Sequence, residues 1–275
     1  MSRIDRVFAT RRQENGRVLV VYLCVGDPSL QATLRFARAA LDAGADILEL
    51  GVPFSDPTAD GPAIARASER AILAGSSLVR TLELAAEIRK ASEAPLVLFG
   101  YYNPILVYGE ERTMMAASAA GIDALLVVDL PPEEGSVLRN AAEEAKMAVI
   151  PLLTPTSGPA RIAAAAARAR GFIYYVSVTG VTGKAGEDAL GAAASEASRL
   201  RELTGLPVVV GFGIDGPRKA RIATGVGQDR SRAGADGIVV GTAVVRAIES
   251  GGDDETRVRE LRKLVASLRT ALDEV

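Results

Sequence analysis

Apolar and polar residues alternate along this chain in blocks, and the blocks repeat. Short runs rich in Val, Ile and Leu, too short for helices, are separated by longer segments with helical spacing. The spacing predicts an amphipathic helix over Ile4–Gln13, then a β-branched run Val18–Val25 that ends in the turn residues Gly26-Asp27-Pro28. Ser29–Gly44 reads as a helix with Ser29 as N-cap and Gly44 as its stop. Asp46–Gly51 is the second strand, and Ala63–Ala74 and Leu78–Ser92 are helices broken at Gly75. Leu96–Gly100 is the third strand, followed by an aromatic loop, Tyr101-Tyr102-Asn103-Pro104, and a helix over Glu110–Ala120. Ala124–Asp129 is the fourth strand, after which Pro131-Pro132 opens a helix reaching Lys146. Ala148–Leu153 is the fifth strand, Pro159–Ala169 an alanine-rich helix and Phe172–Val178 the sixth strand. A Gly-rich loop (Thr179–Asp188) leads to the helix Ala189–Leu203, with Pro207–Gly211 and Gly237–Gly241 as the last strands. Ala243–Glu249 and Thr256–Leu272 close the chain as helices.

Eight strands, each followed by a helix and each nearly continuous in apolar residues, imply parallel strands buried on both faces. In 275 residues this predicts an α/β fold, a (β/α)8 TIM barrel forming a single domain over residues 1–275. A doubly wound open sheet would use fewer strands, and no G-x-G-x-x-G follows the first one. Barrel active sites lie in the loops at the C-terminal ends of the strands. That directs attention to Asp46–Pro62 (DILELGVPFSDPTADGP). Strand alternation puts Ile47, Glu49 and Gly51 on one face and Leu48 and Leu50 on the other. A lone carboxylate in an apolar strand is expensive to bury unless it is paired or protonated. Asp56 and Asp60 follow in the loop.

Composition narrows the chemistry. There is no histidine and one cysteine, so Ser–His and Cys–His nucleophiles are excluded, and a transition-metal site would need carboxylates alone. Acid–base work must fall to Asp, Glu, Lys or Tyr. A net charge of −2, from 32 basic and 34 acidic residues, suggests neither a nucleic-acid nor a membrane surface. No apolar run could span a bilayer, so a soluble cytoplasmic protein is expected. Cys24 reads as a small core hydrophobe. Gly211-Phe212-Gly213, Gly241-Thr242-Ala243 and Thr182-Gly183 follow strands 7, 8 and 6, where backbone N–H groups can hold a phosphate. Each feature also has a plainer reading. Glu49 could be ion-paired in the core, Asp60 an N-cap or Asx-turn residue, Asp56 a loop-ordering residue, Asp129 a structural acceptor, and any one glycine a turn glycine.

Leu48–Pro62 closely resembles the signature of the tryptophan synthase alpha subunit family, [LI]ELG-x-P-[FY]-SDP-x-[AG]-DGP. The resemblance extends in order to Leu23–Pro28, Tyr101–Pro104, Val176–Gly183 (VSVTGVTG), Val210–Ile214 (VGFGI) and Val239–Val244 (VVGTAV). It implies a cofactor-free lyase that cleaves indole-3-glycerol phosphate to indole and glyceraldehyde 3-phosphate in tryptophan biosynthesis. Glu49 then matches the catalytic acid/base and Asp60 the second catalytic carboxylate. Tyr174 matches a tyrosine near that Glu. Gly183, Gly213, Gly241 and Thr242 match the phosphate-holding positions, with Thr242 where serine is usual. Tyr22, Phe99, Leu126 and Phe212 match the apolar wall around the indole, and Thr182 a loop threonine that meets Asp60. A beta subunit is the implied partner, in an alpha2beta2 heterotetramer docked through Pro53–Asp60, Asn103-Pro104 and the strand-6 loop. A free-standing lyase, or a barrel serving mainly as an allosteric partner, would share these residues. Thr224–Arg232 departs from the family, which runs there straight into Ala-Gly-Ala-Asp, and it falls on the N-terminal face.

Overall fold

The computed structural model describes residues 1–131, 133–176, 186–211, 213–226, 234–250 and 252–274. Among them nine parallel strands form one curled sheet: β1 (Val18–Cys24), β2 (Ile47–Gly51), β3 (Leu96–Gly100), β4 (Ala124–Val127), β5 (Ala148–Val149), β6 (Leu152–Leu153), β7 (Ile173–Val176), β8 (Val208–Gly211) and β9 (Gly237–Val240). Their order, β5-β4-β3-β2-β1-β9-β8-β7-β6, puts two consecutive pieces of chain at the two ends of the sheet. Those pieces are the predicted fifth strand, split in two. Pro151 has no N–H to give the ladder, so regular pairing lapses there. The ring closes across the break. Ile150 N–H donates to the Leu125 carbonyl (2.8 Å), and Tyr174 N–H donates to the Pro151 carbonyl (3.0 Å). The expected α/β barrel is the observed fold.

The strands divide their side chains as the alternation predicts. Leu48 and Leu50 join the apolar layer between sheet and helices, while Ile47 joins the barrel interior with Val20, Val97, Leu126, Tyr174 and Val209. Helix Arg3–Gln13 closes the N-terminal end. Its start is held by a capping box between Ser2 and Asp5, and Ile4 and Phe8 reach the interior, where Phe8 lies 5.7 Å from the Phe172 ring. Helix Leu30–Asp42 is capped by Ser29, as expected, and Gly44 takes the left-handed backbone (φ 106°) that ends it.

Three aspartates organise the same end. Asp46, Asp123 and Asp236 follow Gly44, Gly121 and Gly234 by two positions and stand just before β2, β4 and β9. Each accepts a backbone N–H from a neighbouring strand: Leu19 (2.8 Å), Leu96 (2.9 Å) and Val208 (2.9 Å). Each also meets arginine. Arg11 and Arg269 bind Asp46, Arg89 and Arg3 bind Asp123, and Arg201 lies 3.3 Å from Asp236.

Some element bounds differ from expectation. Tyr102-Asn103-Pro104 is the start of a helix, Tyr102–Tyr108, because proline suits a first turn. The helix expected to open at Pro131-Pro132 begins at Ser136 and ends at Glu144, with Lys146 in left-handed backbone (φ 58°) beyond it. Gly135 separates the prolines from the first helical turn. Residues 187 and 188, expected in the Gly-rich loop, open the helix Glu187–Thr204, where their charges suit its N-terminus. Helix Pro217–Thr224 stops at Gly225 (φ 69°). The departure from the family therefore begins there, and residues 227–233 lie outside the described residues. No described helix is long and apolar enough to cross a membrane.

Candidate active site

A cavity opens at the C-terminal mouth of the barrel, bordered by Glu49 and Asp60 among others. Glu49 is held by β2 at the centre of the sheet, in register with Tyr22 on one side and Val97 on the other. Its side chain is 1% exposed, and its Oε1 has no hydrogen-bond partner among the described residues. With no cation among the described residues to offset desolvation, the carboxyl is pushed up to about 8. Among the described residues Glu49 is not half of a core ion pair.

Asp60 comes from the loop after β2. Burial raises its carboxyl to about 6, opposed by a hydrogen bond from Tyr101. That tyrosine, 3% exposed at the end of β3, also accepts the Ala59 N–H (2.9 Å) and packs 5.1 Å from the Phe54 ring. Ser68 fixes the other side of the loop, accepting Phe54 N–H (2.7 Å) and donating to the Phe54 carbonyl (2.9 Å). Helix Pro62–Leu73 starts directly behind, with Gly61 rather than Asp60 as its N-cap residue and no side-chain cap. The loop is thus pinned on both sides of a carboxylate that has no cationic partner among the described residues. At neutral pH Glu49 mostly keeps its proton and Asp60 mostly lacks one, the separation an acid and an anionic stabiliser require.

The expected apolar wall is partly present. Tyr22 and Phe99 line the cavity and meet edge-to-face at 5.3 Å. Tyr174 lines it too, its hydroxyl driven well above the ordinary range by burial and then by the charges of Glu49 and Asp60. Two glycines make room for these tyrosines: a Cβ on Gly51 would fall on the Tyr22 hydroxyl, and one on Gly211 on the Tyr174 hydroxyl. Leu126 is fully buried in the layer inside the barrel and does not border the cavity. Thr182, Gly183 and Phe212 lie outside the described residues.

Gly213, Gly241 and Thr242 border the far side. Gly213 adopts φ 77°, and Thr242 opens the helix Thr242–Ser250, whose first N–H groups are free to point at an anion. Asp56 is exposed and takes the Ser55 hydroxyl, and Asp129 accepts the Tyr102 N–H (2.7 Å), so both serve their loops. Cys24 is buried beside Tyr22 and Ala63. Three bordering residues were not singled out from sequence: Ile64, Asp215 and Arg246. Arg246 sits one turn into the helix that Thr242 opens, where spacing from the glycine motif could have found it. No cluster of metal-binding side chains occurs among the described residues.

Fold and mouth together define the class, a barrel with two carboxyls of raised pKa, one on β2 and one in the loop after it, facing a cavity at its C-terminal mouth. The profile of the tryptophan synthase alpha chain family matches residues 8–273. The tryptophan synthase alpha chain of Geobacter sulfurreducens is 46% identical over 273 residues, covering 99% of both chains, and that of Xanthomonas euvesicatoria 43% over 275, covering 100% of both. Among solved structures, tryptophan synthase subunit alpha from Legionella pneumophila superposes with a TM-score of 0.88 at 32% identity over 100% of both chains. A Mycobacterium tuberculosis tryptophan synthase chain gives 0.88 at 34%, covering 100% of this chain and 99% of that one. The chain belongs to the tryptophan synthase alpha chain family, whose members are lyases.

Proposed function

We propose that this chain performs the family's retro-aldol reaction, cleaving indole-3-glycerol phosphate to indole and glyceraldehyde 3-phosphate, with Glu49 and Asp60 as its catalytic residues. The observation that carries the assignment is Glu49, fully buried, without a cationic partner among the described residues and protonated near neutral pH, in one cavity with an ionised Asp60. Indole leaves only after its C3 is protonated. Glu49 donates that proton. Positive charge then develops at the ring nitrogen, and Asp60 accepts a hydrogen bond from its N–H and stabilises it. Glu49, now a carboxylate, takes the proton of the side-chain hydroxyl next to the indole. The C–C bond breaks, its electron pair returns to the ring, and the carbonyl of glyceraldehyde 3-phosphate forms. One proton is given and one recovered, so the enzyme is regenerated without a cofactor.

Tyr22, Phe99 and Tyr174 flank the ring in this reading. Gly213, Gly241 and Thr242 hold the phosphate through backbone N–H groups and the helix dipole, orienting a substrate whose reacting atoms lie several bonds away. Gly183, Thr182 and Phe212 are assigned to the same site by resemblance, and Leu126 to the layer beneath it. The partner is a tryptophan synthase beta subunit in an alpha2beta2 assembly, taking the indole as it is released. Supporting this, Leu106 and Val107 are 53% and 80% exposed in the helix that carries Asn103-Pro104, and Met115 is 72% exposed in the helix that follows and packs against it. Isolated apolar residues are ordinary on a surface, but several together mark a docking face.

The test is indole release from indole-3-glycerol phosphate by the wild type and by Glu49→Gln. Slow cleavage by the wild type alone, and loss of turnover with retained ligand binding in the variant, is expected. Equal rates would sink the assignment. A beta subunit that changes neither rate nor mass would remove the partner.

A further inference from the structure

A second cavity, of about 340 Å³, lies away from the mouth, between β4–β6 and the helices Ser136–Glu144 and Pro159–Ala167. It falls within the range of about 300–1,000 Å³ usual for small-molecule sites. Its origin is visible in the sequence. Helix Pro159–Ala167 carries alanine at 160 and at every position from 163 to 167, so beside Ile162 the one other side chain it buries is the methyl of Ala165. Interiors normally close-pack, and methyls cannot fill the space that Leu or Ile would. The floor is apolar and buried: Leu138, Met147, Ile150 and Ala165.

The border is cationic. Arg139, Arg161, Arg168 and Arg170 all line it. Arg168 grips Glu143 through two nitrogens (2.8 and 3.0 Å) and reaches Asn140. Arg161 and Arg170 are exposed and form no ion pair within 4 Å among the described residues, although the charge of Arg170 reaches Glu143. Two further acids border the cavity, Asp129 and Glu133, and Asp129 is engaged by the Tyr102 N–H. An apolar floor beneath exposed guanidinium groups that outnumber the bordering acids is the arrangement that takes an amphipathic anion.

We propose that this cavity is a second binding site, for a small amphipathic carboxylate whose apolar body lies on Leu138, Met147 and Ala165 and whose anionic end meets Arg161 and Arg170. The site shares no residue with the mouth cavity, so it stands or falls independently of the lyase reading.

The probe is decanoate, titrated calorimetrically into the intact chain with decanol as the uncharged control. One saturable decanoate site is expected, with decanol weaker. Arg161→Ala with Arg170→Ala, both at exposed positions, should weaken decanoate about tenfold, as loss of charge-assisted hydrogen bonds does. Ala165→Phe fills the floor and should abolish binding while melting at or above the wild-type temperature. Saturating glycerol 3-phosphate should leave decanoate binding unchanged. Absence of saturable binding overturns the proposal. So does decanoate of unchanged strength in the folded Ala165→Phe or arginine variants, and so does displacement by glycerol 3-phosphate. If Ala165→Phe does not fold, the arginine variant decides.

Discussion

The two ends of the barrel treat carboxylates in opposite ways. At the N-terminal end Asp46, Asp123 and Asp236 are each tied to an arginine and to a neighbouring strand's N–H. At the C-terminal end Glu49 sits on the strand that Asp46 introduces, yet no cation among the described residues pairs with it, and its carboxyl rises to about 8. Residue type therefore decides nothing alone. A buried carboxylate with its partners supplied locks strands in register. One left without a partner carries a proton it can give away, at a cost in stability. The division matches the general rule that barrels keep chemistry at one face and stability at the other.

Glu49→Gln sharpens the comparison most. Removing the acid should lower indole release about 10³-fold, within the usual worth of general acid–base catalysis. Stability should not fall, because the amide removes a desolvated carboxyl. Rate assays beside thermal melts check both halves, and a destabilised variant would mean that Glu49 has a structural partner after all. Asp46→Ala should do the reverse. Breaking a buried pair costs about 3 kcal/mol, since Arg269 and the Leu19 N–H lose their acceptor. Denaturant melts should record that loss, while turnover per folded molecule stays near wild type.

These two ends were not equally legible in the sequence. Glu49 could be singled out because a strand's alternation is strict and an acid among Val, Leu and Ile is conspicuous. The barrel itself was readable because parallel strands buried on both faces leave unbroken apolar runs. Asp46, Asp123 and Asp236 went unread, although a Gly-x-Asp spacing precedes three strands. Their arginines come from distant segments, Arg269 from the last helix and Arg3 from the first, and no local pattern announces such pairs. Tyr101 was legible as a residue after β3 but not as a support for Asp60, because that contact crosses from one βα loop to another. The break at Pro151 is a local effect that the apolar run Ala148–Leu153 masks.

Proton linkage gives a third, smaller difference. The folded carboxyl of Glu49 holds its proton to about pH 8, whereas in the unfolded chain it ionises near 4.5. Between those values the folded state binds more protons than the unfolded, so stability falls as pH rises through the window and levels off above it. Asp60, raised to about 6, adds its part below that pH. From pH 6 to pH 8 the wild type should therefore lose about 2 kcal/mol relative to Glu49→Gln. Melts of the two proteins at both pH values measure it, and parallel curves would contradict a desolvated carboxyl. Turnover should follow a bell with limbs near 6, where Asp60 gains its proton, and near 8, where Glu49 loses its own.

Tyr101→Phe carries the smallest expected effect and the finest distinction. The hydroxyl accepts the Ala59 N–H and bonds Asp60, and both contacts lie in a loop rather than the core. A hydrogen bond to a charged group is worth about 1.5 kcal/mol, so losing the one to ionised Asp60 should lower turnover about tenfold, with the melting temperature nearly unchanged. Because the bond favours the ionised form of Asp60, its loss should also move the acidic limb of the pH profile upward. An unshifted limb with lowered turnover would mean that Tyr101 holds the loop's shape and leaves the charge of Asp60 alone.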